Sequence, residues 1–162
     1  MSTNSKIVVY LAGSLSEDRR WRVGVMNSLL GEFNVEFLSP VDKGIYYDYR
    51  RLKESNAHNR VFMHCDYAKI DRSDVVFAYI THGDSRHSGT SAEIGYARAK
   101  GKIILLVNDM PEKEQYLYEF IKRSADEFFP DLCDGIMYLQ ELVAEMQYSP
   151  VAGRVFANER SL

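Results

Sequence analysis

The stretch Ile7-Val8-Val9-Tyr10-Leu11-Ala12 runs without a polar residue until it meets Gly13-Ser14. A strand with one wet face alternates apolar and polar residues; an unbroken run suits a strand covered on both faces, as in a parallel sheet between two helix layers. The same texture returns in Asp74-Val75-Val76-Phe77-Ala78-Tyr79-Ile80 and in Lys102-Ile103-Ile104-Leu105-Leu106-Val107. Two shorter runs, Val35 to Leu38 and Gly135 to Leu139, share the β-branched and aromatic bias. Strands are thus expected at Lys6–Leu11, Val35–Leu38, Asp74–Ile80, Lys102–Val107 and Gly135–Leu139. Between them lie apolar residues at helical spacing: Trp21, Val25, Leu29 and Leu30, then Ile94, Ala97 and Ala99, then Leu117, Phe120 and Ile121. Alternating strands and helices predict an α/β fold, a single-domain five-stranded parallel sheet, doubly wound and flavodoxin- or Rossmann-like.

Length and composition agree. A chain of 162 residues, 46% hydrophobic and 27% charged, fits one globular domain spanning 1–162, with residues from 146 or 147 onward lacking clear periodicity and read as a C-terminal tail. A net charge of −3 gives no general attraction to nucleic acid or anionic lipid, so a small molecule is the expected partner. Met1 to Lys6 is polar, without the apolar core of a signal peptide, and no window approaches ~18 consecutive apolar residues, so a cytoplasmic protein without a membrane span is expected. Cys65 and Cys133 lie far apart and outside any CxxC, as free thiols would. His58, His64, His82 and His87 show no metal-ligand spacing.

In such sheets ligands bind outside the carboxyl ends of the strands, where the strand order reverses. That directs attention to the loops Gly13 to Arg20 and Thr81 to Ser91 and to the segment before the third strand. Gly89-Thr90-Ser91-Ala92-Glu93-Ile94-Gly95-Tyr96 opens a helix, which places Glu93 in its first turn, where the helix dipole would keep the carboxylate ionised. An ionised carboxylate beside an anomeric carbon can act as a nucleophile. Thr90-x-x-Glu93 is also a capping box, and on spacing alone that reading outweighs the catalytic one. Asp74, just before an apolar run, reads as a structural residue at a strand start. Asp66 reads by itself as a solvated carboxylate, although acid-base work at a glycosidic bond needs a second carboxyl whose pKa differs from the nucleophile's. Gly13-Ser14 is a tight turn suited to an anion or a sugar hydroxyl, but Ser14-x-x-Glu17 is again a capping box. Neither a P-loop nor a GxGxxG fingerprint is present. Tyr46-Tyr47-Asp48-Tyr49-Arg50-Arg51 could stack on a nucleobase or simply be surface chemistry.

Taken together, Val9-Tyr10-Leu11-Ala12-Gly13-Ser14, then Asp66 through Ser73-Asp74-Val75-Val76, then Gly89-Thr90-Ser91-Ala92-Glu93-Ile94-Gly95-Tyr96-Ala97 resemble the nucleoside 2-deoxyribosyltransferase family. The resemblance covers residues 6 to about 108 well and the remainder loosely. It implies that Glu93 attacks C1' of a 2-deoxyribose, that Asp66 protonates the departing base, and that Tyr10 orients the nucleophile. It further implies substrate contacts from Gly13, Ser14, His87, Ser88 and Gly89, no cofactor or metal, nucleoside or nucleotide and free nucleobase as small-molecule partners, and homo-oligomers of two or more copies. Six residues before the nucleophile the transferases carry an aspartate near the sugar's 5' end, and the related 2'-deoxynucleoside 5'-phosphate N-hydrolases carry a serine. Here the position is His87, which suits a hydroxyl or, protonated, a phosphate; Arg19, Arg86, Ser14 and Ser88 are further phosphate candidates. The leading expectation is a deoxyribosyltransferase acting on nucleosides. The alternatives are an N-glycosidase acting on nucleoside 5'-monophosphates and, from another class, a non-catalytic nucleotide-sensing module, for which Tyr10, Asp66 and Glu93 together would have no use.

Overall fold

The structure, a computed structural model, describes residues 6–14, 20–40, 56–81 and 87–148. Strands β1 (Ile7–Gly13), β2 (Val35–Leu38), β3 (Val75–Ile80), β4 (Ile103–Asn108) and β5 (Glu127–Phe129) form one parallel sheet in the order β2-β1-β3-β4-β5. The described helices are α1 (Arg20–Leu29), α2 (Asn56–Arg72), α3 (Ser88–Ala99), the short α4 (Glu112–Gln115) and α5 (Glu119–Lys122), which flank a 3-10 turn at Tyr116–Tyr118, and α6 (Leu132–Tyr148). None of them is long and apolar enough to cross a membrane.

Every residue of β1 is buried, as its unbroken apolar run requires. Its side chains alternate between two cores. Ile7, Val9 and Leu11 pack with Val25 and Leu29 of α1 and with Leu139, Val143 and Met146 of α6. Val8, Tyr10 and Ala12 pack with Ile70 of α2 and with Ile94 and Ala97 of α3. The strand order reverses between β1 and β3, so the ligand crevice expected of such sheets falls at the carboxyl ends of these two strands.

The fifth strand lies elsewhere than the sequence pattern suggested. Gly135 to Leu139 belongs to α6, and β5 is the three-residue segment Glu127–Phe129. The residues around Ile136 and Tyr138 carry strand bias, but the buried positions Gly135, Leu139, Val143 and Met146 recur at spacings of four, four and three, which is a helical face. A Cβ on Gly135 would stand 2.4 Å from Val107 Cγ2, so only glycine lets α6 lie this close to β4. α6 continues to Tyr148 with Met146 in the core, so residues 146–148 belong to this helix, and the rest of the expected tail lies outside the described residues. The helical stripes also shrink at their edges. Leu30 is 55% exposed beyond the end of α1, Ala99 is exposed, and Phe120, on the short α5, is 86% exposed.

Two aspartates fasten the amino edge of the sheet in the same way. Asp74, just before β3, gives its backbone N–H to the Val8 carbonyl and accepts the Val8 N–H on Oδ2, both at 2.8 Å. Asp126, just before β5, donates to the Ile104 carbonyl at 2.9 Å and accepts the Ile104 N–H on Oδ2 at 2.8 Å. The structural reading of Asp74 is therefore the one observed. Removing the Asp74 carboxylate leaves a buried N–H without its acceptor, a loss of about 1–3 kcal/mol. Asp74→Ala is expected to lower the urea-unfolding free energy by that amount. Lys6→Ala, which breaks an exposed pair with Glu36, should cost less than about 1 kcal/mol.

Candidate active site

Tyr10 projects from β1 into the α2–α3 layer, where its hydroxyl donates to Oε1 of Glu93 at 2.6 Å. Tyr10 is fully buried, and Glu93 is 8% exposed. Asp66, on α2, is 5% exposed and close enough for its charge to act on both Tyr10 and Glu93. Lys69 Nζ lies 3.8 Å from Asp66 Oδ1 and donates to the Ser39 carbonyl at 2.8 Å. The three residues assigned to catalysis through the resemblance thus converge, and Asp66 is not the solvated surface carboxylate that its local sequence suggested.

The capping-box reading of Thr90 and Glu93 does not match the fold. α3 begins at Ser88, with His87 at its N-cap position and no side chain capping it. Thr90 and Glu93 are buried residues inside the helix, and Glu93 sits in the second turn rather than the first. The helix dipole fades within the first turn, so it does little to keep this carboxylate ionised. Burial dominates instead and pushes the Glu93 carboxyl from 4.5 up to about 8. The Tyr10 hydrogen bond pulls it down, the Asp66 charge raises it, and Arg22 and Lys69 lower it. Burial, followed by the Glu93 charge, raises the Tyr10 hydroxyl too, so Tyr10 stays a donor.

Around this centre, the other expected contacts divide. Gly13 ends β1, and a Cβ there would meet Trp21 Cζ2 at 2.7 Å and the Tyr79 carbonyl at 3.1 Å, so ring packing by itself demands glycine. The Ser14 carbonyl accepts from Arg22 Nη1 at 3.0 Å. Ser88 and Gly89 are exposed at the start of α3. His87 is 2% exposed, donates from Nε2 to the Thr81 carbonyl at 3.1 Å and meets Tyr118 edge-on at 5.6 Å, while its buried Nδ1 has no hydrogen-bond partner among the described residues. Glu17, Arg19, Arg86, His82 and the Tyr46–Arg51 segment lie outside the described residues.

Arg22 was not singled out by the sequence pattern. It is buried on α1, with Nη2 donating to the Gly13 carbonyl at 2.8 Å and its guanidinium 4.4 Å from the Trp21 ring centre. The one sequence signal was its neighbour: Trp21-Arg22 pairs a large ring with a cation directly after the polar turn, a pairing that favours stacking.

A carboxyl whose folded pKa exceeds its unfolded one binds more protons in the native state between those two values, so its contribution to stability falls as pH rises. For Glu93 that window runs from 4.5 to about 8. Glu93→Gln, which keeps an acceptor for Tyr10 but cannot ionise, is expected to melt above the wild type by a margin that widens from pH 5 to pH 8. Parallel melting temperatures across that range would contradict the burial argument.

The sequence profile of the nucleoside 2-deoxyribosyltransferase family matches residues 9–141. A search of curated proteins gave no significant match. Among solved structures, the fold is similar to that of a 2-deoxyribosyltransferase from Bacillus psychrosaccharolyticus, at 20% identity and a TM-score of 0.56, with 78% of this chain and 88% of that chain covered. It is similar as well to the CMP N-glycosidase BcmB of Clostridium botulinum, at 20% identity and a TM-score of 0.53, with 83% and 98% covered. Since the family profile spans most of its length, the chain belongs to the nucleoside 2-deoxyribosyltransferase family.

Proposed function

We propose that this protein breaks the N-glycosidic bond of a 2'-deoxynucleoside and transfers the 2-deoxyribosyl group to another nucleobase or to water, with Glu93 as nucleophile, Asp66 as acid-base and Tyr10 as the residue that orients Glu93. The observation that carries the reading is the buried 2.6 Å hydrogen bond from Tyr10 to Glu93, made beside Asp66 at the point where the strand order reverses. Desolvating a carboxylate is costly, and buried carboxyls with strongly shifted pKa values cluster at functional sites.

In the first step a Glu93 oxygen bonds to C1' as the bond from C1' to the base nitrogen breaks. The electron pair leaves with the base, and Asp66 supplies its proton. In the second step Asp66, now a carboxylate, takes a proton from the incoming base or water, whose lone pair bonds to C1' while the pair of the C1'–Oε bond returns to Glu93. Two displacements give net retention. A carboxyl pair sharing one proton serves both roles when the proton rests on Asp66 at the moment of attack. Burial and the Asp66 charge favour a proton on Glu93 and Tyr10, Arg22 and Lys69 oppose them, so the placement of the proton is set by that balance.

His87 bears on the 5' end of the substrate. In a neutral tautomer that donates from Nε2 to the Thr81 carbonyl, the ring presents Nδ1 as an acceptor, and an acceptor matches a hydroxyl better than a phosphate dianion. This supports free nucleosides as substrates. A second reading, hydrolysis of a nucleoside 5'-monophosphate, is favoured by the exposed start of α3, since backbone N–H groups at a helix N-terminus suit phosphate, and by the likeness to a CMP N-glycosidase. Assembly into dimers or larger oligomers, action in the cytoplasm, and substrate contacts from Gly13, Ser14, Ser88 and Gly89 are part of the same proposal.

Incubation with deoxyinosine and adenine, and separately with CMP or dCMP alone, followed by chromatography, distinguishes transfer from monophosphate hydrolysis; deoxyadenosine is the expected product of the first. Glu93→Gln should be folded and inactive, because an amide cannot supply the attacking oxygen. Asp66→Asn should slow release of ordinary bases by about 10²- to 10⁴-fold but spare a substrate whose leaving group needs no proton. Equal losses on both substrates would reassign Asp66 to binding.

A further inference from the structure

Asp66 and Glu93 sit on different helices, so the gap between the two carboxyls depends on how α2 and α3 lie against each other. Tyr10 holds Glu93 from β1, which leaves the placement of α2 beside α3 to be explained. The described side chains of α2 ahead of Asp66 do not supply it, because Arg60, Val61, Met63, His64 and Cys65 are all exposed. Directly after Asp66 the two helices meet. Tyr67 lies flat on Tyr96 of α3, with ring centres 4.0 Å apart and ring planes within 5° of parallel. Tyr96 follows Glu93 by three residues, a spacing at which helix side chains are neighbours. One turn beyond Tyr67, Asp71 accepts the Tyr96 hydroxyl on its two carboxylate oxygens at 3.0 and 3.1 Å. Lys100 pairs with the same carboxylate at 3.4 Å and lies 5.2 Å from the Tyr96 ring centre, and Lys102 donates to the Asp71 carbonyl at 2.8 Å. Both rings are half-buried against the core of this layer. Stacked rings are stiff plates of fixed thickness, so they hold two helices at one separation where flexible side chains would allow several.

We propose that Tyr96 is a positioning residue of this site: stacked on Tyr67 and anchored to Asp71, it fixes the separation of α2 and α3 and with it the reach of Asp66 toward a base leaving a sugar on Glu93. The inference rests on the reading of Glu93 as nucleophile and Asp66 as acid-base. Tyr96 acts through Asp66 and takes no part in the displacement itself. Because Tyr10 secures Glu93 separately, loss of the stack lets Asp66 drift while the nucleophile stays in place. A misplacement of about 1 Å at a reacting group is enough to cost on the order of 10²-fold in rate.

The test compares deoxyinosine, whose departing base needs a proton, with its N7-methyl derivative, whose base already carries a positive charge and leaves without one. kcat and KM are measured on both for the wild type, Asp66→Asn, Tyr96→Ala and Tyr96→Phe. Tyr96→Ala should lower kcat on deoxyinosine by on the order of 10²-fold with KM little changed, since help from the acid is realised in the transition state, and should spare the methylated substrate. Tyr96→Phe keeps the ring against Tyr67 and should retain the wild-type ratio between the two substrates. Tyr67→Ala should reproduce the Tyr96→Ala pattern, and the double variant should be no worse than either single one, because both remove the same contact. Equal losses on both substrates in Tyr96→Ala, beside a selective loss in Asp66→Asn, overturn the inference alone. So does a lowered melting temperature with unchanged rates, or a Tyr96→Phe enzyme as impaired as Tyr96→Ala. Equal losses in Asp66→Asn itself overturn the acid-base reading, and the inference falls with it. Should Tyr96→Ala fail to fold, Tyr67→Ala removes the stack from the other helix and is judged by the same comparison.

Discussion

A carboxyl group at 8% exposure has lost most of its water, and in this fold the Tyr10 hydroxyl takes water's place. Tyr10 can do so because β1 is covered on both faces and holds its side chains rigidly, one set per layer. The hydrogen bond therefore ties β1 to the second turn of α3. Asp66 and Lys69 arrive from α2 in the same layer, whereas Arg22 arrives from α1, whose apolar side belongs to the opposite layer, by way of the strand end. Burial raises the energy of the ionised glutamate, and the surrounding donor and cations return part of it. The site is thus built as a balance of opposing electrostatic effects, which suits the nucleophile role proposed for Glu93.

The fold was largely legible because parallel strands buried on both faces leave continuous apolar runs, and β1, β3 and β4 are such runs. β5 was not. Glu127, Phe128 and Phe129 are too few to form a pattern, and the Gly135–Leu139 segment outweighed them with strand-biased residues that tertiary packing holds in a helix. The candidate site was legible only through resemblance. Local spacing made Glu93 a cap and Asp66 a surface residue, and both readings failed for one reason: they could not register that α2 and α3 pack side by side over β1. Charge pairing between elements far apart in sequence leaves no periodicity, which is also why Arg22, whose partners are backbone carbonyls, escaped notice.

The aspartates that fasten β1 to Asp74 and β4 to Asp126 both lie at the amino edge of the sheet, away from the strand ends over which Arg22 and the Gly13–Ser14 turn sit. Anchorage therefore lies at one rim of the platform, and the proposed chemistry extends from mid-strand Tyr10 toward the other. A protein arranged in this way is a forgiving starting point for directed evolution: loops at the carboxyl rim can be randomised to accept unfamiliar bases while the clasps that keep the strands in register stay untouched, and thermal robustness can be bred in at the amino rim without entering the reaction chamber.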